Sequence, residues 1–213
     1  MALLVVFAGL PGSGKSALAR GVADAIGATY LRIDAIESAI VATLTPFHDN
    51  PVGYVIAERL AADQLVAGRD VVADAVNNVA EARAGWVALA ERTRSGLQFV
   101  EVQCSDAAEH RRRVEERSPE MPGQHVPTWE QVQRRHDEPW PPELSGRLVI
   151  DNLGDPAGHV ARIVTELPSR ARAGRGPVRA AAPEADAGWL ELLRAGDLTV
   201  GLTTGNYPVE NDR

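Results

Sequence analysis

The chain predicts a three-layer α/β fold with a five-stranded parallel sheet, and three observations carry that expectation. Short apolar runs alternate with amphipathic stretches through the first 167 of its 213 residues, the pattern of repeated strand–helix units. A glycine-rich stretch at residues 9–16, GLPGSGKS, lies between the first apolar run and the first helical stretch. Polar or acidic residues then close the runs in turn, at Asp34, at Asp74 and at Ser105 and Asp106. In a parallel sheet this gathers them at the carboxyl ends of the strands, where sites form.

Each element has a local reason. Residues 2–8 (ALLVVFA) are apolar throughout, as a strand buried on both faces requires. Leu18, Val22 and Ile26 recur every four residues and mark the first helix. Residues 28–33 read as a second strand, and a helix opens at Asp34 and runs to about Leu44. Residues 45–51 form a loop, with Asn50 and Pro51 as cap and first turn of a helix over 52–67 that Gly68 closes. Residues 70–74 are a short strand, 80–94 a helix with Trp86, Leu89 and Ala90 on its apolar side, and 97–104 a fourth strand. Asp106 and Glu109 have capping-box spacing before an arginine-rich helix that includes Arg111, Arg112, Arg113 and Arg117. Prolines and a glycine make 118–127 a loop, and Thr128 with Gln131 caps a short helix. Residues 147–150 are the fifth strand, and Asp155 with Pro156 starts a last helix to Leu167. From 168 the composition turns to Ala, Arg, Gly and Pro, so 1–167 is read as one domain and 168–213 as linker and tail. In that tail, 189–193 suit a helical turn or two and 197–209 an extended pair.

Residues 9–16 match G-x-x-x-x-G-K-S at every specified position. Backbone N–H groups of such a loop point at phosphate oxygens, helped by the positive end of the following helix. Gly9, Leu10, Pro11, Gly12, Ser13, Gly14, Lys15, Ser16 and Ala17 are therefore the candidate nucleotide-binding set. Lys15 would reach the β/γ-phosphates of ATP, and the Ser16 hydroxyl would ligate Mg²⁺. Among 22 basic residues Lys15 is the only lysine. A GC-rich coding bias accounts for the arginines, and against it a lysine retained in this slot points to work arginine cannot do.

Composition narrows the classes. An apolar content of 45% and a charged content of 24% are ordinary for a globular protein. A net charge of −7 counts against non-specific nucleic-acid or membrane-surface binding. One cysteine, Cys104, allows neither an internal disulfide nor a cysteine metal cluster, and the five histidines lack metal spacing. No signal-like segment opens the chain and no run is long enough to span a bilayer, so a cytoplasmic location is expected. The oligomeric state is not legible. A guanine-reading Asn-Lys-x-Asp is impossible without a second lysine, a Leu-Ser-Gly-Gly-Gln signature is missing, and Asp74 is followed by Ala75 rather than by the Glu of mechanical ATPases.

What remains is a compact kinase layout, and the chain resembles the small P-loop kinases that group with zeta-toxin-like and polynucleotide-kinase-like ATP-binding domains. The resemblance spans roughly residues 3–167. It rests on residues 9–16, on Asp34 after Ile33, on Asp74-Ala75-Val76-Asn77 followed by Glu81-Ala82-Arg83, and on Arg113 with Arg117. It implies a P-loop NTPase fold with an arginine-bearing lid, ATP and Mg²⁺ as cofactors, and transfer of the γ-phosphate to a hydroxyl. Two positions depart from the pattern: Val76 stands where Thr is common. Glu37 replaces the arginine that polynucleotide-kinase-like members often carry three residues after the strand-two Asp, and it would repel a phosphorylated substrate, which counts against a nucleic-acid end as acceptor.

The roles follow, each beside a plainer alternative. Asp34 is the candidate general base, or an N-cap whose box Glu37 completes. Asp74 is a candidate for the Mg²⁺ shell through water or for substrate, or a turn carboxylate. Asn77 contacts substrate or shapes a turn. Arg113 and Arg117, four apart on one helix face, neutralise the transferring phosphoryl group together with Lys15, or make a solvated face with Glu109, Glu115 and Glu116. Arg112, Arg134 and Arg135 are weaker candidates. Trp129 and Trp140 wall a cavity or pack, and backbone after the fifth strand would meet adenine. The expected activity is an ATP-dependent phosphotransferase acting on a small-molecule hydroxyl acceptor, with the segment from His48 to Ala67 helping to form the acceptor pocket. The alternatives are a nucleotide or polynucleotide 5'-hydroxyl kinase, and a slow ATPase acting as a nucleotide-binding regulator through the tail.

Overall fold

The computed structural model describes residues 1–43, 51–135 and 137–168. Its elements in order are β1 (Leu3–Ala8), α1 (Lys15–Ile26), β2 (Thr29–Arg32), α2 (Ile33–Thr43), α3 (Val52–Val66), β3 (Val71–Asp74), α4 (Ala80–Thr93), β4 (Gly96–Gln103), α5 (Ala107–Glu115), α6 (Trp129–Arg134), β5 (Leu148–Asp151) and α7 (Pro156–Glu166). A 3-10 turn, Pro142–Leu144, precedes β5. Asn50, His48, His136 and the elements expected at 189–193 and 197–209 lie outside the described residues.

The five strands pair in the order β2-β3-β1-β4-β5, all parallel. All six residues of β1 are buried, because helices cover both faces of the strand. Its alternation divides the core. Leu4 and Val6 pack with Tyr54, Ala57, Ala61, Trp86 and Leu89 of α3 and α4. Leu3, Val5 and Phe7 pack with Leu18 and Val22 of α1 and Ile163 of α7. The register sets Asp74 opposite both Phe7 and Arg32, so the acid-bearing strand ends meet on one edge of the sheet.

Local departures from the sequence expectation have local causes. β2 passes into α2 without a connecting residue, which puts Asp34 inside the first turn rather than at the N-cap; the capping-box alternative for Asp34 does not hold. Pro51 itself occupies the N-cap position of α3. The buried face of α3 is Tyr54, Ala57, Glu58, Ala61, Ala62 and Leu65, whereas Leu60 is exposed. Small residues let α3 lie close to α4, and Gly85 leaves room for Glu58, whose Oε1 would sit 2.3 Å from any Cβ there. The Asp106 side chain accepts from Ala108 and Glu109 amides, but Glu109 turns to Arg112 and Arg113 instead of closing the box. At Thr128 and Gln131 the full capping box forms.

Trp86 anchors this half of the core. It is fully buried, and its Nε1–H donates to Asn77 Oδ1 at 3.0 Å. Trp86→Ala is expected to cost roughly 3–5 kcal/mol of stability, read by urea unfolding. A loss below about 1 kcal/mol would mean the α3–α4 layer repacks freely.

Candidate active site

The phosphate loop joins β1 to α1 over the carboxyl edge of the sheet, and neighbouring elements hold its shape. Gly9 N–H donates to Val76 O at 3.1 Å, and Ser13 N–H to Leu10 O at 3.1 Å. His110 on α5 lies 2.8 Å from Pro11 O. A carbonyl can only accept, so Nε2 carries the proton. Asn152, buried just after β5, donates Nδ2–H to Ser13 O at 2.9 Å. In a planar trans peptide the carbonyl of one residue and the N–H of the next point opposite ways. Tying the Pro11 and Ser13 carbonyls outward therefore aims the Gly12 and Gly14 amides into the loop.

Gly14 shows why no larger residue fits. Its φ is +83°, and a Cβ there would lie 2.1 Å from Asn152 Nδ2. Gly14 is also the N-cap of α1, with no side-chain cap and no acid in the first turn. The first N–H groups of α1 are thus left for an anion. Lys15 begins that helix and is 5% exposed. Ser13 Oγ is buried without a hydrogen-bond partner among the described residues. Ser16 is half-buried.

Asp74 ends β3 and is buried. Its Oδ2 accepts from the Tyr30 hydroxyl at 2.7 Å, while Oδ1 has no hydrogen-bond partner among the described residues. Burial, and then the Asp74 charge, push the Tyr30 hydroxyl far above its ordinary range. Tyr30 stays a donor and fixes the carboxylate's orientation. Ser16 and the unpartnered oxygen of Asp74 suit a hydrated Mg²⁺ bound with a triphosphate. Among the described residues there is no group of three or more His, Cys, Asp or Glu that could hold a metal alone, so a metal here would need oxygens from the nucleotide.

Asp34 sits amid cations. Its Oδ2 lies 3.6 Å from Arg32 Nη2 and 3.6 Å from Arg117 Nη2. Burial works to raise the carboxyl, but Lys15, then Arg32, Arg117 and Arg135, override it and hold it below the ordinary carboxylate range. Arg113 points elsewhere: it donates to Glu109 at 2.7 Å and to Asn152 O at 3.0 Å. The two arginines do not share a helix face, because α5 ends at Glu115 and Arg117 lies beyond it. They bracket the loop instead, Arg113 on the Gly14 side and Arg117 at Asp34.

Asn77 is buried, with φ +51°. Its Nδ2 donates to Phe7 O and its Oδ1 accepts from Trp86, a geometry that supports the turn alternative over substrate contact. Arg83 is equally hidden and donates to Glu138 O and Pro139 O. Trp140 packs on Phe99, Arg83 and Arg147 and also lines a small cavity beside Gly9, Asn77 and Glu101, while Trp129 packs on His110. Arg112 pairs with Glu109 and Glu116 on the solvent side.

Sequence reasoning missed Tyr30, Arg32, His110 and Asn152. Tyr30 and Arg32 carried a faint signal, since they stand two apart on a short strand and so project on one face. The other two carried none, because each acts across more than ninety positions of chain.

The sequence of residues 4–139 matches the model of a family described as an AAA domain. The chain belongs to this family of P-loop kinases. Solved structures with the same fold include a presumed kinase of Chloroflexus aurantiacus, with 17% identity, a TM-score of 0.61, and 78% of this chain and 99% of that one covered. A sugar kinase of Janibacter has 20% identity and a TM-score of 0.56 over 78% and 94% of the two chains. The APS kinase of Mycobacterium tuberculosis, in complex with AMPPNP and APS, has 20% identity and a TM-score of 0.55 over 77% and 96%. No curated protein matches the chain significantly in sequence. No helix among the described residues is long and apolar enough to cross a membrane.

Asn152→Ala removes the tie on Ser13 O without touching any loop residue. It is expected to weaken ATP binding about tenfold, roughly 1.4 kcal/mol, measured by calorimetric titration. Unchanged affinity would show that the loop holds its shape alone.

Proposed function

We propose that this P-loop kinase is an ATP- and Mg²⁺-dependent phosphotransferase that moves the γ-phosphoryl group to a hydroxyl of a small-molecule acceptor. The observation that carries the reading is Asp34, a carboxylate kept ionised beside Arg117 and within the field of Lys15. A charged acid beside the phosphate loop can take a hydroxyl proton for transfer. Residues 1–167 would form the catalytic unit, with 168–213 as linker and tail.

Loop residues 9–17 would hold the triphosphate, Lys15 on its terminal phosphates. Mg²⁺, held by Ser16 and through water by Asp74, would neutralise phosphate charge. Asp34 would accept a hydrogen bond from the acceptor hydroxyl and aim its oxygen in line with the γ-phosphorus. As the new P–O bond forms, the bond to the ADP oxygen breaks and its electron pair leaves with ADP. The hydroxyl proton passes to Asp34 and on to solvent. Arg113 and Arg117 would offset charge on the transferring group.

The −7 charge and Glu37 disfavour a nucleic-acid end as acceptor. Lys15→Ala is expected to abolish transfer. Asp34→Asn should leave ATP affinity within about threefold yet lower acceptor phosphorylation by at least 10², measured with labelled ATP and an acceptor panel. Near-normal turnover by Asp34→Asn would refute the base assignment. Slow hydrolysis without transfer to any acceptor would favour a regulatory ATPase.

A further inference from the structure

Arg32 is the buried residue of β2, and its side chain is only 7% exposed. Its Nη1 donates to Glu120 Oε2 at 2.6 Å. Nε and Nη2 are out of solvent and have no hydrogen-bond partner among the described residues. Those two atoms form one edge of the planar guanidinium, a two-donor fork that matches a carboxylate or phosphate. Asp34 does not fill it, since its Oδ2 stands 3.6 Å from Nη2 and equally far from Arg117. Its acidic neighbours hold the charge in place, and the unfilled edge leaves two donors for a further anion.

The partner it does have is replaceable. Glu120 belongs to the irregular segment after α5, and its side chain is 56% exposed. Arg32 holds its carboxyl below the ordinary range. Of the other acids, Asp74 stands opposite Arg32 in the sheet and adds its charge, and Glu37 lies against Gly53 of α3. Arg117 and Arg135 add their charges around Asp34.

We propose that the acceptor carries an oxyanion group, a carboxylate or a phosphate, that settles on the Nε–Nη2 fork of Arg32, Glu120 giving way on Nη1, while its hydroxyl meets Asp34. The proposal rests on the phosphotransfer reading. An anion there gives both fork donors an acceptor and makes up for the charge of Glu120. A neutral acceptor would leave both fork donors unpaired and could not replace the lost Glu120 bond, so discrimination falls on neutral analogues.

Two measurements on the full chain test this. The first compares transfer from ATP to alditols, aldonic acids and alditol monophosphates of three to six carbons. One acidic series should exceed its neutral counterpart by tenfold or more in kcat/KM, and which series does so separates carboxylate from phosphate. The second titrates the same acids calorimetrically into protein saturated with a non-hydrolysable ATP analogue. Arg32→Gln should weaken acid binding at least tenfold. Arg32→Lys, which keeps the charge but loses the fork, should fall between, and the surface change Glu120→Gln should bind the acid more tightly than the unaltered protein. Neutral acceptors preferred, or acid affinity indifferent to all three changes, would overturn the proposal. Arg32-dependent acid binding without transfer would overturn the phosphotransfer reading alone.

Discussion

The bond from Asn152 Nδ2 to the Ser13 carbonyl is the tie on which the phosphate site depends. Asn152 reaches the loop because its own N–H continues the β4–β5 ladder by donating to Gln103 O. From the other side, Gly9 is tied to Val76, just past β3. The cradle is thus stretched between the ends of β3 and β5, and its amide directions inherit the register of the whole sheet. Residue size is limited from the same direction, since the amide that orients Gly14 also occupies the space a side chain would need. A glycine-rich loop without these supports would visit many conformations and lose that entropy on binding phosphate.

Asp34 has a second dependence on the loop. Its carboxyl sits below the ordinary range because Lys15, Arg32, Arg117 and Arg135 outweigh its burial. A folded value below the unfolded one adds stability above the ordinary carboxylate range, and that contribution is lost only as pH falls through the lowered value. The same depression makes Asp34 a weak base before nucleotide arrives. A bound triphosphate would claim the charge of Lys15, relieve part of that depression and leave Asp34 more basic when the acceptor is to be aligned. In the phosphotransfer proposed above, the proton would move late in a loose transition state, so orienting the hydroxyl would demand more of this residue than basicity.

The sheet was legible because both its signals are local. The run at β1 is apolar at every position, and the alternation of strands and helices leaves few other topologies. Asp34 and Asp74 were legible from their positions at run ends. What escaped was whatever a distant element supplies. His110 reads as one more polar residue in an arginine-rich stretch, yet it fixes Pro11 across the site. Arg117 was expected on the face of Arg113 because nothing in the sequence before Ser118 stops α5. The helix ends at Glu115 all the same, and the two arginines part. Asn77 stood in a motif that suggested substrate, but burial commits both ends of its amide to Phe7 and Trp86.

That early end of α5 bears on how the site works. One nine-residue helix carries His110 against the Pro11 carbonyl, Val114 against Gly12, and Arg113 against Asn152. Two residues beyond it, Arg117 reaches Asp34. A continuous helix would have set Arg113 and Arg117 side by side beside the loop, leaving Asp34 to Lys15, Arg32 and Arg135. With the break at Glu115, one rigid element braces the loop and presents Arg113, while the chain leaving it delivers Arg117 to the carboxylate. A rotation of α5 that shifted its grip on the loop would also move the base of Arg117. The phosphate loop and the Asp34 carboxylate are therefore mechanically joined through α5 and the chain that leaves it.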